Sequence, residues 1–316
     1  MKKILLTGAT GFVGSALQQR IVTDQHCDLT IAVRRLLAVP DTIRAVQVAD
    51  LTAETDWSDA LQGIDVVIHA AARAHVLVEN VVDPLIEFRK TNVEGALTLA
   101  HQALTAGVKR FVFISSIGVN GAGTELQPFT ELDASAPHAP YAVSKLEAEV
   151  ALKELCAGTT MELVIVRPSL VYAAHAPGNF ARLLKLVSSG VPLPFALVKN
   201  QRSMVALDNL VDFILCCTTH PKAAHQTFLI ADQESISTPQ MLRCLSQGMG
   251  KRILLLPVPV SLMRFAAKLV GREALFNQLC GSLEVDSSKA RNLLGWTPPV
   301  TVEDAMRKTA QAYLKK

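Results

Sequence analysis

The sequence holds little of what marks several common protein classes. Its six cysteines, Cys27, Cys156, Cys216, Cys217, Cys244 and Cys280, form no Cys-x-x-Cys pair and sit largely among apolar neighbours, which argues for free buried thiols in a reducing compartment rather than a disulfide framework. Its eight histidines show no two-on-one-helix-face spacing with a glutamate, so no metal site is expected. Aromatics are only 5% and the net charge only +3, with no basic run interleaved with aromatics, so nucleic acid is not an expected partner. No run reaches the roughly 18 apolar residues of a membrane span, and the apolar N-terminus is broken by Thr7, Gly8 and Gly11 before it could form a signal core. A soluble, unexported, cytoplasmic protein is expected. Residues 253–270 are apolar, but Pro257, Pro259, Arg264 and Lys268 interrupt them, which favours core or interface packing over membrane contact.

What is present begins at the N-terminus. The apolar run Ile4-Leu5-Leu6 leads into Thr7-Gly8-Ala9-Thr10-Gly11-Phe12-Val13-Gly14, and a helical pattern continues through Leu17 and Ile21. In such a strand, glycine turn and helix, Gly8 permits the tight turn. Gly11 lets backbone approach a pyrophosphate at the helix N-terminus, and Gly14 allows close helix–strand packing. Thr10, Phe12 and Val13 belong to the same cofactor-binding turn. About 20 residues on, where an acid would bind a ribose 2′-hydroxyl, the chain has Arg34 and Arg35. Guanidinium groups there suit a 2′-phosphate, so NADPH is expected rather than NAD; the alternative is a pair of solvated loop arginines. Asp50 and Leu51 follow the third apolar stretch as an adenine-side contact.

The second chemical feature is Tyr141 and Lys145 in Pro-Tyr-Ala-Val-Ser-Lys. Residues four apart share a helix face. An ammonium about 4 Å from a phenolate contributes roughly 4 kcal/mol at an effective dielectric near 20, about three pK units. That would bring a tyrosine from ~10 toward ~7, where proton transfer is useful. A chance pair on an amphipathic helix is the bland alternative.

Strand-like runs at 4–7, 29–33, 45–48, 65–69, 110–115 and 162–166 alternate with helical patterns near 14–23, 91–106 and 141–156. The fold class expected is α/β, a doubly wound parallel (Rossmann) sheet with its ligand crevice at the strand carboxyl ends. His69-Ala70-Ala71-Ala72 and Ser115-Ser116 lie at such ends. Proline-rich loops follow Pro168. Helical signals then return at 207–219, with a short strand at 227–230 and a last helix capped by Thr301 with Asp304 three residues on. Residues 1–168 and 203–232 are expected to form the dinucleotide-binding domain, and 169–202 and 233–316 a smaller substrate-binding lobe.

With the glycine turn, Ser115-Ser116 and Tyr-x-x-x-Lys in that order, the chain resembles the extended short-chain dehydrogenase/reductases that act on nucleotide sugars, over nearly its full length. Thr91-Asn92-Val93-Glu94-Gly95, Arg167-Pro168 and the stretch from Arg202 to Asp212 add to the likeness. Segments such as Gly178-Asn179-Phe180 and Leu294-Gly295-Trp296 resemble bacterial reductases of UDP-4-keto-6-deoxy-N-acetylglucosamine, which serve surface-polysaccharide synthesis. The resemblance implies a catalytic trio of Ser116, Tyr141 and Lys145, supported by Ser115, with Asn92, Ser115, Tyr141, Lys145 and Pro168 on the cofactor. It implies His75, Ser116, Tyr141, Asn179, Arg202 and Arg272 on the nucleotide-sugar substrate, and a homodimer paired through helices 91–106 and 141–156. For the two arginines a salt bridge is the alternative, and for His75 a structural role. Asn120 stands where the family usually has tyrosine, and Tyr172-Ala173-Ala174 replaces Tyr-Gly-Pro. Ile117-Gly118 replaces the acid pair of the 4,6-dehydratases, so dehydration has no acid and base. Reduction of a 4-ketosugar by NADPH is therefore the expected activity. The alternatives are a 4-epimerase with tightly held NAD, and a non-catalytic dinucleotide sensor.

Overall fold

A computed structural model of the chain describes residues 2–24, 27–74 and 83–315. Strand and helix alternate through the first half as β1 (Lys2–Thr7), α1 (Phe12–Asp24), β2 (Cys27–Val33), β3 (Ile43–Gln47), β4 (Val66–His69), α2 (Pro84–Arg89), α3 (Gly95–Thr105), β5 (Arg110–Ile114), α4 (Pro140–Cys156) and β6 (Glu162–Pro168). The second half runs β7 (Leu170–Tyr172), α5 (Asn179–Ser188), β8 (Met204–Ala206), α6 (Leu207–Thr219), β9 (Gln226–Ile230), α7 (Thr238–Gly248), α8 (Val260–Leu269), α9 (Glu273–Cys280), α10 (Ser288–Leu294) and α11 (Val302–Leu314).

Seven strands form one parallel sheet in the order β3-β2-β1-β4-β5-β6-β9. The strand order reverses between β1 and β4, and a doubly wound sheet opens its ligand crevice at the carboxyl ends flanking that point. Val48 and Ser115, expected inside strands, lie one residue beyond β3 and β5 but still donate their N–H groups to Val33 and Val166.

Period-2 alternation divides the strand side chains between two cores. Ile4, Leu6, Ile31, Ile68, Val112 and Val164 face one side, beneath α1 and α6. Leu5, Val67, Phe111, Phe113, Leu163 and Ile165 face the other, beneath α3 and α4. Ala290, Leu294 and Trp296 join the first core, with the Trp296 indole N–H donating to Asp212 at 2.8 Å.

A third core gathers α5, α7, α11 and the short parallel pair β7–β8. It is fastened to the sheet at Asp232, whose carboxylate accepts from the Tyr172 hydroxyl (2.8 Å), the Ala206 N–H and Asn209 Nδ2 (2.7 Å). Burial raises the Asp232 pKa and these donors oppose the rise. Segment 253–270 divides in two: Ile253, Leu255, Val260 and Met263 pack on the third core, while Leu254, Leu256, Leu262, Phe265, Leu269 and Val270 face outward.

The helix expected over 91–106 differs in one respect. Residues Lys90–Glu94 form a π-helical turn ahead of α3, a distortion that often marks functional positions. Here it places Asn92 in the interior.

Candidate active site

The glycine turn closes through Gly11 N–H donating to Gly8 O at 2.9 Å. Gly8 adopts φ +71°, in the left-handed region that favours glycine. A Cβ on Gly8 would lie 2.7 Å from Ala71 N, and one on Gly14 would lie 2.0 Å from Gly8 O. The turn therefore presses on both the following helix and the Ala70–Ala72 segment after β4. A bare backbone cradle at a helix N-terminus and a strand switch point fits a dinucleotide pyrophosphate. Gly14→Ala should raise the dissociation constant for dinucleotide at least tenfold and cost about 1–3 kcal/mol of stability from overpacking. Dinucleotide titration and thermal melting would check this, and unchanged binding would show that the turn does not form the cradle.

Thr7 and His69, to which the sequence reading gave no role, sit under this cradle. Thr7 Oγ1 accepts the Ala71 N–H and lies 2.8 Å from His69 Nδ1. Either group can be the donor in that bond, according to the ring tautomer, and His69 Nε2 is buried without a partner among the described residues. Burial, then the Lys145 charge, lowers the His69 pKa to about 3. The ring is thus a neutral packing element, lying parallel to Phe113 at 5.9 Å between centroids.

Asn92 forms a clamp. Its Oδ1 accepts the Arg73 N–H (2.9 Å), and its Nδ2 donates to Arg73 O (3.1 Å) and Ser144 Oγ (3.0 Å). It thereby ties the segment beside the glycine turn to α4. Gly95 is a matching close approach, since a Cβ there would meet the Leu51 backbone at 2.9 Å.

Beyond the carboxyl ends of β2 and β3, Thr10, Arg34, Arg35, Gln47 and Asp50 line a groove of about 820 Å³. Both arginines are exposed, and Arg34 Nη1 pairs with Asp50 Oδ1 at 3.2 Å. Arg35 makes no salt bridge with any described residue. An exposed pair such as Arg34–Asp50 is worth about 0–1 kcal/mol, so Arg34 can leave it for a stronger anion.

The expected trio of Ser116, Tyr141 and Lys145 lies after the end of β5 and along the start of α4. Pro140 at the first helical turn supplies no N–H that would need a partner. Gly118 stands between Ser116 and Ala142, its Cβ position lying 3.4 Å from Ser116 Oγ and 3.3 Å from Ala142 Cβ. Ser116 Oγ accepts the Gly118 N–H at 3.1 Å, so its own proton remains to donate to an incoming oxygen. Tyr141 is half-buried, edge-on to Phe88 at 6.0 Å.

Lys145 corrects the sequence expectation. Its Nζ is buried, donates to Ile114 O at 2.8 Å and lies 4.4 Å from the Phe113 ring centre. Burial lowers its pKa to about 7, with Glu149 opposing, while burial pushes Tyr141 up to about 12 instead of down toward 7. The spacing argument counted attraction and omitted desolvation, which dominates for groups this enclosed. In the chain alone Tyr141 is therefore protonated at neutral pH.

Behind the trio lies a buried network with no signature in the sequence. Arg167 makes a two-pronged contact with Glu149, its Nε 2.9 Å from Oε1 and its Nη2 2.5 Å from Oε2. Ser115 Oγ donates to the same carboxylate at 2.5 Å. Arg167 Nη1 donates to Asn120 Oδ1 at 2.9 Å, and Asn120 Nδ2 donates to Thr130 O. Asn120, the departure from the family tyrosine, is thus a buried hydrogen-bonding residue. Ser115 is turned toward Glu149, and Pro168 closes β6 beside it.

Of the expected substrate residues, Arg202 is partly buried, donates to Gly281 O at 3.0 Å and has its pKa lowered by burial. It forms no salt bridge with any described residue. Asn179 opens α5 on the surface and accepts from Arg182 at 3.3 Å. Arg272 is exposed at the start of α9, remote in the chain from the trio. His75 lies outside the described residues.

A parallel sheet with a glycine turn that fits a pyrophosphate, and a Ser/Tyr/Lys set after β5 and on α4, is the arrangement of the extended short-chain dehydrogenase/reductase class. Residues 4–231 match the model of the NAD dependent epimerase/dehydratase family, and the chain belongs to that family. It is 43% identical to a UDP-glucose 4-epimerase of Vibrio cholerae, over 99% of this chain and 96% of that protein. It is 25% identical to the N-acetyl-α-D-glucosaminyl-diphospho-ditrans,octacis-undecaprenol 4-epimerase of Escherichia coli O157:H7, over 98% and 94%. The fold matches the solved UDP-glucuronic acid 4-epimerase of Bacillus cereus in complex with NAD, at TM-score 0.77 and 21% identity, covering 99% of this chain and 98% of that one.

Proposed function

We propose that the chain inverts C4 of a sugar carried on a nucleoside diphosphate, using a dinucleotide held over β1 and β4. The likeness to the Vibrio cholerae epimerase along almost the whole of both chains carries this reading, and it moves the epimerase ahead of the 4-ketosugar reductase that the sequence alone favoured. Both activities use the same trio. Ile117 and Gly118, the first buried and the second without a side chain, offer no acid or base for dehydration.

A bound nicotinamide supplies a reversible hydride acceptor at the sugar C4. As hydride leaves C4 the O4 proton passes to the deprotonated Tyr141 oxygen, and it returns when hydride comes back on the other face. Ser116 donates a hydrogen bond to O4, and Lys145 tunes Tyr141 and holds the nicotinamide ribose. Gly8, Thr10, Gly11, Phe12, Val13 and Gly14 hold the pyrophosphate. Asp50 and Leu51 face the adenine side, and the Ala70–Ala72 segment, fixed by Asn92, lines the path to the nicotinamide with Ser115 and Pro168. Arg202 and Asn179 serve the substrate from the smaller lobe formed by 169–202 and 233–316. A homodimer through α3 and α4 completes the proposal, and light scattering of the pure protein would measure it.

Arg34 and Arg35 favour the second reading, an NADPH-dependent reductase, because both guanidinium groups border the groove beside the ribose position. Cofactor content separates the two. An epimerase restores its cofactor within each cycle and can retain NAD through purification, whereas a reductase must release the spent cofactor every turnover. Acid-released dinucleotide should amount to about one NAD per chain, and Arg34→Ala with Arg35→Ala should leave that content unchanged. Empty protein whose NADPH affinity collapses in the double variant would establish the reductase instead.

A further inference from the structure

The outward face of α8 has no partner in the fold. The helix contributes no fully buried side chain, and Leu262 (56% exposed), Phe265 (61%) and Leu269 (71%) fall on one stripe, with Val270 (69%) at its end. In the preceding segment Leu254 and Leu256 are exposed while Leu255 pairs with Leu193. Val191 and Leu197 on the paired segment are exposed as well. Exposed apolar side chains gathered on one helix face mark an interaction site.

Charge identifies the occupant. Lys251, Arg252, Arg264, Lys268 and Arg272 are all exposed around the stripe, and Arg182, Lys185 and Lys199 are exposed on the neighbouring segment. Residues 178–201 and 251–280 together hold eight lysines and arginines and one acid, Glu273, so the rest of the chain is net acidic although the whole is +3. A second copy on this face would set one cationic rim against another. A short helix with Leu and Phe on one side and Lys and Arg beside it has the form that lies in the headgroup region of a bilayer, and anionic lipid attracts the rim. No helix among the described residues is long and apolar enough to cross a membrane, so contact would be peripheral.

We infer that α8 and the 251–257 segment dock the protein on an anionic lipid bilayer. The end of α9, whose Gly281 carbonyl receives the Arg202 guanidinium, would then bring the substrate lobe close to the membrane surface. The inference holds for either reading of the reaction.

Cosedimentation of the whole protein with phosphatidylcholine vesicles, and with equimolar phosphatidylcholine and phosphatidylglycerol vesicles, tests it. Binding is expected to the mixed vesicles and not to phosphatidylcholine alone. Leu262→Ser with Phe265→Ser and Leu269→Ser should abolish it. Arg252→Gln and Lys268→Gln, both at exposed positions, should each weaken it about fivefold. Phe265→Trp should show blue-shifted emission on adding anionic vesicles. Absence of wild-type binding, equal binding to both vesicle types, or an unshifted Phe265→Trp spectrum would overturn the inference. So would a dimer that the triple variant dissociates while the wild type ignores vesicles, which would make the face a self-interface.

Discussion

Tyr141→Phe should lower kcat by roughly 10²–10⁴, the usual contribution of a positioned proton donor, while dinucleotide affinity stays within about twofold. The expectation follows from the state of the residue. Burial holds the phenol at about 12 in the chain alone. Tyr141 must therefore first lose its proton to take the one on O4 as hydride leaves C4, and it gives that proton back when hydride returns. Phenylalanine keeps the ring contact with Phe88 while removing the oxygen that carries it. Lys145 cannot replace it, because its ammonium is committed to the Ile114 carbonyl. The measurements are initial rates with UDP-glucose, UDP-N-acetylglucosamine and 4-ketosugar nucleotides, beside a dinucleotide titration. A fully active variant would remove Tyr141 from the chemistry, and equal loss of rate and cofactor binding would make it a structural residue.

Glu149→Ala should destabilise the protein by about 3–5 kcal/mol, the penalty for leaving a buried charge without its partner. Glu149 and Arg167 are both almost wholly inaccessible, and the carboxylate also receives the Ser115 hydroxyl. Its loss would strand Arg167 between β6 and the turn after β5. At about 2–4 °C per kcal/mol the midpoint should fall by roughly 6–20 °C. Adding Arg167→Met should recover part of that loss, since removing both charges avoids the uncompensated one. Calorimetry of the single and double variants measures both effects. A single variant that loses less than about 1 kcal/mol would mean that water or a rearranged partner reaches Arg167.

Family membership narrows the chemistry and leaves the cofactor phosphate open. An acidic residue at the end of β2 would have fixed NAD, and this chain has two arginines there. One of them is paired with Asp50 across the groove. The pair is weak enough to exchange for a phosphate, so measured cofactor content has to decide between the retained NAD of an epimerase and the exchanged NADPH of a reductase.

The sequence by itself determined the features that rest on short-range rules. The glycine turn was legible because only glycine satisfies a positive φ at Gly8 and backbone contact at Gly14, and the seven strands because a parallel sheet covered on both faces needs continuous apolar runs. Tyr141 and Lys145 were legible as a helical pair because four residues make about one turn. Only the tertiary structure decided what depends on distant residues and on burial. Glu149, Arg167 and Asn120 have no common spacing and meet because α4, β6 and the turn after β5 converge. Asn92 reaches its partners through a π-helical turn that no pattern announced. The direction of the Tyr141 shift reversed, and Lys145 was lowered, because desolvation is a property of the packed interior and sequence distance cannot measure it. The same holds for α8, whose apolar residues read as core or interface and of which packing leaves Leu262, Phe265 and Leu269 uncovered.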